Sequence, residues 1–297
     1  MVYILIFILL LLILSTYLSK RIMTKEFKNW TKLNHSKSVI VVGSGPGKFD
    51  VDFGELDDCI NLSVWPEDFR YDYRMLKNKS NLLQKGTVVF HFICPLSFAK
   101  NKYLKENNYN KKYVHVLPSK DVDLPYSIYV LEKYFYLFIH PRRILSFLKK
   151  NIGCNNFSFQ EQKEKLITSW LRENPGLENL KDAEKGKQFE EAFKENTHYL
   201  KMIVTLCQTH EWRYIPIIAP MSNDLKSSIS DTFLNEFLYK NIVFLQSDFE
   251  VLDFLKKKEF SDNRLYTDFP LQNGLFLNET GRTKMTKELL AYIGRHD

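Results

Sequence analysis

The chain opens with an unbroken apolar run from Val2 to Leu14, which residues 15–18 extend to about seventeen residues. This is the lower limit of the length that spans the ~30 Å hydrocarbon layer of a membrane. No basic stretch precedes the run and no small-residue cleavage site precedes Lys20, which favours an uncleaved anchor over a signal peptide. The pattern predicts a transmembrane anchor over residues 1–19, followed by a basic juxtamembrane linker over residues 20–37.

Short apolar runs recur behind the anchor and alternate with helical patterns. The runs that predict buried strands are Ser38 to Val42, Thr87 to Ile93, Arg213 to Ala219 and Ile242 to Leu245. The apolar positions between 189 and 207 recur at helical spacing, and Thr283 to Tyr292 predicts a last helix. Strands alternating with helices predict an α/β fold, with a mainly parallel sheet in a three-layer α/β/α arrangement.

The predicted domain covers residues 38–297 and includes an irregular insertion around residues 103–187. Its aromatic run from Tyr134 to Ile139 predicts a cap or long insertion that packs against the sheet.

The net charge of +7 is concentrated behind the apolar run. The basic residues there are Lys20, Arg21, Lys25, Lys28, Lys32 and Lys37. Such a cluster is attracted to anionic lipid headgroups, so membrane lipid is a predicted partner. Nucleic acid is not a predicted partner, because no aromatic-basic platform or zinc-finger spacing accompanies the charge.

The four cysteines lie far apart along the chain, at Cys59, Cys94, Cys154 and Cys207. No C-x-x-C pair and no histidine at metal-ligand spacing accompanies them, so we predict neither a metal nor another cofactor. Buried free thiols are the favoured interpretation, and disulfides remain open.

A glycine-rich turn, Gly43-Ser44-Gly45-Pro46-Gly47, follows the first predicted strand, where α/β folds bind ligands. The carboxylates of Asp50, Asp52, Asp57 and Asp58 follow it, and turn or capping roles are favoured over a metal site.

The order of four stretches resembles a bacterial membrane-anchored branch of the SGNH (GDSL-like) hydrolase superfamily. These stretches are VVGSGPGKFDVDF from Val41, FRYDYRMLKNKSNLLQKGTVVFHFICPLSF from Phe69, YIPIIAPMSNDL from Tyr214 and LFLNETGRTKMTKEL from Leu275. The resemblance covers about Ser38 to Ile293. It implies the SGNH/flavodoxin-like version of the α/β/α fold and a role in cell-surface polysaccharide.

The resemblance also implies that two catalytic positions are lost. The family's nucleophilic serine falls on Gly45, and the histidine of its Asp-x-x-His motif falls on Phe276, preceded by Asn273 in the aspartate position. A one-residue shift would place Ser44 in the nucleophile position but still supply no base, and losing the base removes several orders of magnitude of rate. The chain is therefore predicted to be a pseudo-hydrolase that binds a ligand through Gly43, Ser44, Gly45, Gly47, Asp72, Asn273 and Phe276.

Three alternatives remain open. Ser44 could be activated by His91 or His210, which would preserve a carbohydrate O-acyl esterase or transferase, although His91 fits a packed core position and His210 a helix end. The glycine turn also resembles one in some bacterial sialyltransferases, which makes a glycosyltransferase that uses a nucleotide sugar the second hypothesis. A partner of a membrane acyltransferase or polysaccharide-assembly enzyme is the third.

The side of the membrane is the last prediction. The positive charges behind the anchor favour a cytoplasmic domain, whereas the resemblance implies an extracytoplasmic one. We expect a single-pass membrane protein whose main domain is extracytoplasmic, with the cytoplasmic side left open.

Overall fold

The protein is an α/β protein built on a parallel sheet, seen in a computed structural model. The structure describes residues 27–43, 45–54, 56–64, 68–94, 97–98, 110–135, 187–227, 231–266 and 274–294, with single residues at 3, 6, 10, 13, 16, 17, 139 and 229.

Within the described residues the sheet has five strands in the order β2-β1-β3-β4-β5. The strands are β1 (Val39–Gly43), β2 (Cys59–Asn61), β3 (Val88–Ile93), β4 (Arg213–Ile218) and β5 (Leu252–Asp253). All four pairings are parallel, with Val42 opposite His91 and Gly43 opposite Phe92. Because the strands are parallel, their carboxyl ends meet at one edge, which we call the carboxyl edge.

Helices precede and follow the strands. In chain order they are α1 (Lys28–Lys32), α2 (Gly45–Asp50), α3 (Phe69–Lys79), α4 (Tyr126–Tyr134), α5 (Lys187–Thr209), α6 (Asn223–Lys226), α7 (Asp231–Leu234), α8 (Lys240–Asp248) and α9 (Glu279–Tyr292). A π-helical turn over Asn235–Tyr239 joins α7 to α8, and 3₁₀ turns lie at Ser80–Leu82, Asn110–His115, Ser119–Asp121, Lys258–Phe260 and Asn263–Leu265.

Helices cover both faces of the sheet. On one face, alternate residues of the strands, among them Val41, Phe90 and Ile217, pack in one apolar cluster with Met285 and Leu289 of α9. On the other face, α3 packs against α5, and both contact the strands. Burial on both faces explains why β1, β3 and β4 are almost wholly apolar.

Several helices begin at side-chain caps, among them α3 and α9. The Asp68 carboxylate accepts the backbone N–H of Tyr71 at the start of α3, and the Asn278 amide oxygen accepts that of Gly281 at the start of α9. Caps of this type typically stabilise a helix by about 1 kcal/mol.

The chain divides into two compact units. The sheet belongs to the unit formed by residues 32–105 and 157–297. The other unit consists of residues 1–31 and 106–156. In that second unit the rings of Phe27 and Tyr113 meet edge to face at 5.5 Å, and Lys111 pairs with the buried Glu132 at 2.8 Å.

The structure corrects the prediction of a transmembrane helix. Among the described residues, no helix is both long enough and apolar enough to cross a membrane. The predictions of a fold preceded by a transmembrane helix and of a single-pass membrane protein are therefore wrong. Most of the segment predicted as the anchor, residues 1–19, lies outside the described residues. A span needs about 20 apolar residues, and this run reaches the lower limit only by including Ser15, Thr16 and Tyr17.

The prediction of a strand from Ile242 to Leu245 is also wrong, because these residues belong to helix α8. The other three predicted strands are confirmed as β1, β3 and β4, and the two predicted helices are confirmed as α5 and α9.

Candidate functional site

The chain changes direction across the sheet at the carboxyl end of β1. From β1 the chain passes to β2 on one side, and β3 then returns to pair with the other side of β1. In open α/β sheets, ligands bind outside the carboxyl ends of the strands at such a switch point. The predicted glycine turn lies here, since Gly43 is the last residue of β1 and Gly45 the first of α2.

Packing within the protein explains two of the predicted glycines. Gly43 has a φ of +114°, and a Cβ there would lie 2.5 Å from the backbone oxygen of Phe92. A Cβ on Gly47 would lie 2.5 Å from the Ser63 hydroxyl oxygen. Both positions therefore need glycine without any ligand. Gly45 is buried in the first turn of α2, and Ser44 lies outside the described residues.

The end of β2 holds the turn in place. The Asn61 side-chain amide donates to the carbonyl oxygens of Gly47 at 2.7 Å and Val51 at 3.0 Å, and its oxygen accepts the Ser63 backbone N–H. The Ser63 hydroxyl is buried and has no hydrogen-bond partner within the described residues. A buried hydroxyl without a partner is uncommon, because its desolvation is not compensated.

A segment far along the chain, Gly274 to Asn278, contacts residues that follow β4 and β1. Its Gly274 carbonyl accepts the backbone N–H of Ser222, which follows β4. At the other side, the Phe276 ring packs on Phe49 of α2 with centroids 4.8 Å apart. Phe276 is buried and lies against the helix that follows β1, and this is the position where the resemblance places a histidine. Asn273 lies outside the described residues.

Asp50 joins this segment to α2. One of its carboxylate oxygens, Oδ1, accepts the backbone N–H of Leu277 at 2.8 Å, across 227 residues of sequence. The other oxygen, Oδ2, is buried and has no hydrogen-bond partner among the described residues. Burial raises the pKa of Asp50 well above its usual value, against the opposing effects of the Leu277 N–H and the Arg282 charge. The carboxyl is therefore favoured in its neutral form.

The other acidic residues after the turn have structural roles. Asp52 accepts the backbone N–H of Gly54 in a tight turn, and Asp58 accepts the Ser38 hydroxyl. This confirms the predicted turn role of Asp52. Among the described residues, no group of three or more His, Cys, Asp or Glu side chains is placed to hold a metal ion.

Asp72 lies inside the protein, beneath the carboxyl edge. Its Oδ2 is 3.4 Å from Nε2 of His91, and the exposed fractions of the two side chains are 3% and 0%. Nδ1 of His91 lies 2.8 Å from the hydroxyl of Tyr214. A role of Asp72 in ligand binding stays a prediction, and its contact in this structure is with His91.

The three side chains form a buried polar chain between α3 and the sheet. Burial raises the pKa of Tyr214, and the nearby Cys207 and Asp72 raise it further, so the phenol keeps its proton. The phenol can then donate to Nδ1 of His91. Nε2 of the same ring lies 3.4 Å from Asp72 and has no hydrogen-bond partner among the described residues.

His210 lies at the opposite end of the sheet. It follows the last residue of α5 and precedes β4, so it is at the amino ends of the strands, where its ring stacks on Trp212 at 4.8 Å. A direct contact between His210 and the turn after β1 is therefore not possible in this fold.

Sequence reasoning missed two groups of this site, Asp50 as a buried carboxyl and Ser63 as a buried hydroxyl. For Asp50 a signal was present, because it precedes the alternating apolar residues Val51 and Phe53, which are both buried. For Ser63 the signal was its place between Leu62 and Val64 directly after β2.

Neither a known protein-family model nor a curated protein matches this chain. Function is therefore inferred from the chemistry of the site itself.

Proposed function

We propose that this chain is an SGNH-like protein that binds a carbohydrate ligand at the carboxyl edge without hydrolysing it. Its role would be that of a binding or accessory protein in the assembly or modification of cell-surface glycans. The observation that carries the proposal is Phe276, a buried hydrocarbon ring packed on Phe49 in the place where the family resemblance requires a proton acceptor.

The two histidines that could replace the missing base support the same proposal. His91 is fully buried and its Nδ1 is bonded to the Tyr214 hydroxyl, and His210 lies at the amino ends of the strands. A serine hydroxyl needs a base within hydrogen-bond reach, at about 2.6–3.2 Å, to become a nucleophile at neutral pH. Neither imidazole is a suitable base for a nucleophile after β1.

Turnover of p-nitrophenyl acetate tests the loss of hydrolysis. We expect the purified chain to release nitrophenol no faster than its Ser44→Ala variant, because neither His91 nor His210 is a suitable base for a nucleophile after β1. Release that depends on Ser44 would overturn the proposal and support a residual O-acyl esterase. A Ser36→Ala variant, altered before β1, serves as the control for changes in a serine unrelated to the turn.

Thermal stabilisation tests the ligand class. We expect a chemically O-acetylated oligosaccharide or its deacetylated form to raise the melting temperature, whereas CMP and UDP leave it unchanged. Stabilisation by CMP or UDP alone would instead support the glycosyltransferase hypothesis.

A glycosyltransferase remains the second candidate because the glycine turn lies at the switch point of the sheet, where nucleotides bind in many α/β folds. However, Gly43 and Gly47 are both explained by packing against Phe92 and Ser63, so the glycines give no separate support for a phosphate ligand.

A further inference from the structure

The Asp50 carboxyl links two parts of the carboxyl edge that are distant in sequence. It ends α2, the helix after β1, and it accepts the backbone N–H of Leu277 in the segment that carries Phe276. Asp50 is completely buried, and its second oxygen has no hydrogen-bond partner in the described part of the chain. A charged carboxylate in this position would be poorly compensated, whereas a neutral carboxyl keeps the bond to Leu277 at a lower desolvation cost.

We propose that Asp50 is an uncharged latch, which holds the Gly274 to Asn278 segment against α2 and releases it when the carboxyl ionises. The latch would make the ligand-binding edge sensitive to pH. Only this last step rests on the proposed function, because it takes the segment with Phe276 to border the ligand.

Two ionisable groups from neighbouring elements act on the carboxyl. Arg282 of α9 contributes a positive charge that favours ionisation, but its side chain is partly exposed and also lies 4.0 Å from Asp52. Tyr266 is buried, and its hydroxyl donates to the Phe260 carbonyl. Burial raises the pKa of Tyr266, and Asp50 raises it further, so this phenol remains neutral and does not compensate a carboxylate.

The direction of the pH effect follows from proton linkage. Burial raises the pKa of Asp50 in the closed state, whereas the carboxyl in the released segment has an ordinary value of about 3.9. At pH values between these two pKa values, Asp50 is protonated in the closed state and ionised in the released state. Release of the segment therefore becomes more favourable as pH rises. The equilibrium constant for release therefore increases about tenfold per pH unit within that window.

Amide hydrogen exchange of the intact chain, followed by mass spectrometry at several pH values, measures this release. For peptides covering Leu277, the observed rate is divided by the intrinsic rate at each pH. We expect this ratio to rise by up to about tenfold per pH unit in the wild type. In Asp50→Asn, which keeps an acceptor for the Leu277 N–H but cannot ionise, we expect the ratio to be independent of pH.

Asp52→Asn is the matched control. It replaces an ionisable carboxyl by the same amide two residues later, on a side chain that is 64% exposed, and we expect it to follow the wild type. Peptides covering β3 report on global unfolding, and we expect their ratio to stay constant with pH.

A flat profile for the wild-type peptide, or an equal slope in Asp50→Asn, would overturn the latch. If Asp50→Asn does not fold, the exchange ratios of the wild type and of Asp52→Asn still test the proposal, because both are expected to rise with pH. No ligand is present in this measurement, so failure of the latch is distinct from failure of the proposed function, which would appear as absent stabilisation by the oligosaccharides.

Discussion

Replacing Gly43 by alanine is predicted to destabilise the sheet through two separate effects. The φ of +114° is unfavourable for any residue with a Cβ, and the left-handed region costs about 1–2 kcal/mol. The new Cβ would also lie 2.5 Å from the Phe92 carbonyl oxygen and 3.1 Å from its nitrogen. These are backbone atoms of the paired strand, so they cannot move aside without disturbing the β1–β3 ladder.

The expected loss combines these terms. Overpacking in a well-packed interior costs about 1–3 kcal/mol, so the total for Gly43→Ala is about 2–5 kcal/mol. Since native proteins are stable by only about 5–15 kcal/mol, this is a large fraction of the free energy of unfolding. For a folded unit of 150–250 residues the melting temperature would fall by about 4–20 °C.

Urea unfolding followed by circular dichroism measures the effect against two matched variants. Gly54 and Gly86 also have positive φ, at +57° and +82°, but a Cβ at either position would meet no atom within 4 Å. Gly54→Ala and Gly86→Ala therefore carry the backbone cost alone, and we expect each to lose about 1–2 kcal/mol. If Gly43→Ala lost no more than these variants, the close approach to Phe92 would not be the reason for glycine.

Further predictions concern side chains near the carboxyl edge and in the core. Gly47→Ala should destabilise the protein by about 1–3 kcal/mol, because its new Cβ would lie too close to the Ser63 hydroxyl. Ser63→Ala should be nearly neutral alone and should recover part of that loss in the double variant. Free energies of urea unfolding that simply add in the double variant would contradict this. Tyr214→Phe should lower the free energy of unfolding by about 1–3 kcal/mol in the same assay, because it leaves the buried Nδ1 of His91 without its hydrogen bond. An unchanged unfolding midpoint would count against that bond. Iodoacetamide at pH 8 should modify Cys94 before Cys207, because Cys94 is partly exposed whereas burial raises the pKa of the Cys207 thiol to about 12. Equal rates of modification, measured by peptide mass spectrometry, would refute this.

The strands that could be predicted from sequence are those with long apolar runs. Strands β1, β3 and β4 each contain five or six residues, nearly all of them buried, which gives a clear signal. Strands β2 and β5 have only three and two residues, too few for any periodic pattern. The run from Ile242 to Leu245 is apolar but short, and such a run does not distinguish a strand from a helix. Here it continues the helical path that begins at Asp231.

The site was partly predictable for a related reason. The glycine turn is local in sequence, so its place after β1 could be predicted, whereas the bond from Asp50 to Leu277 spans 227 residues and leaves no local pattern. Asp72 is predicted to bind a ligand, and that role stays a prediction. Its spacing from Phe69 and Met75, three residues on either side, puts it on the buried face of α3, and this helical period was a signal for its burial.

Two buried carboxyl groups of the sheet unit, Asp50 and Asp72, show why residue type alone does not assign a role. Asp72 lies on the α3 face of the sheet, where Nε2 of His91 lies 3.4 Å from its Oδ2. Asp50 lies on the α9 side, where the backbone N–H of Leu277 binds one oxygen and the other has no hydrogen-bond partner among the described residues. Burial therefore opposes ionisation at Asp50. The proposed response of the carboxyl edge to pH then originates from the α9 side, close to Phe276.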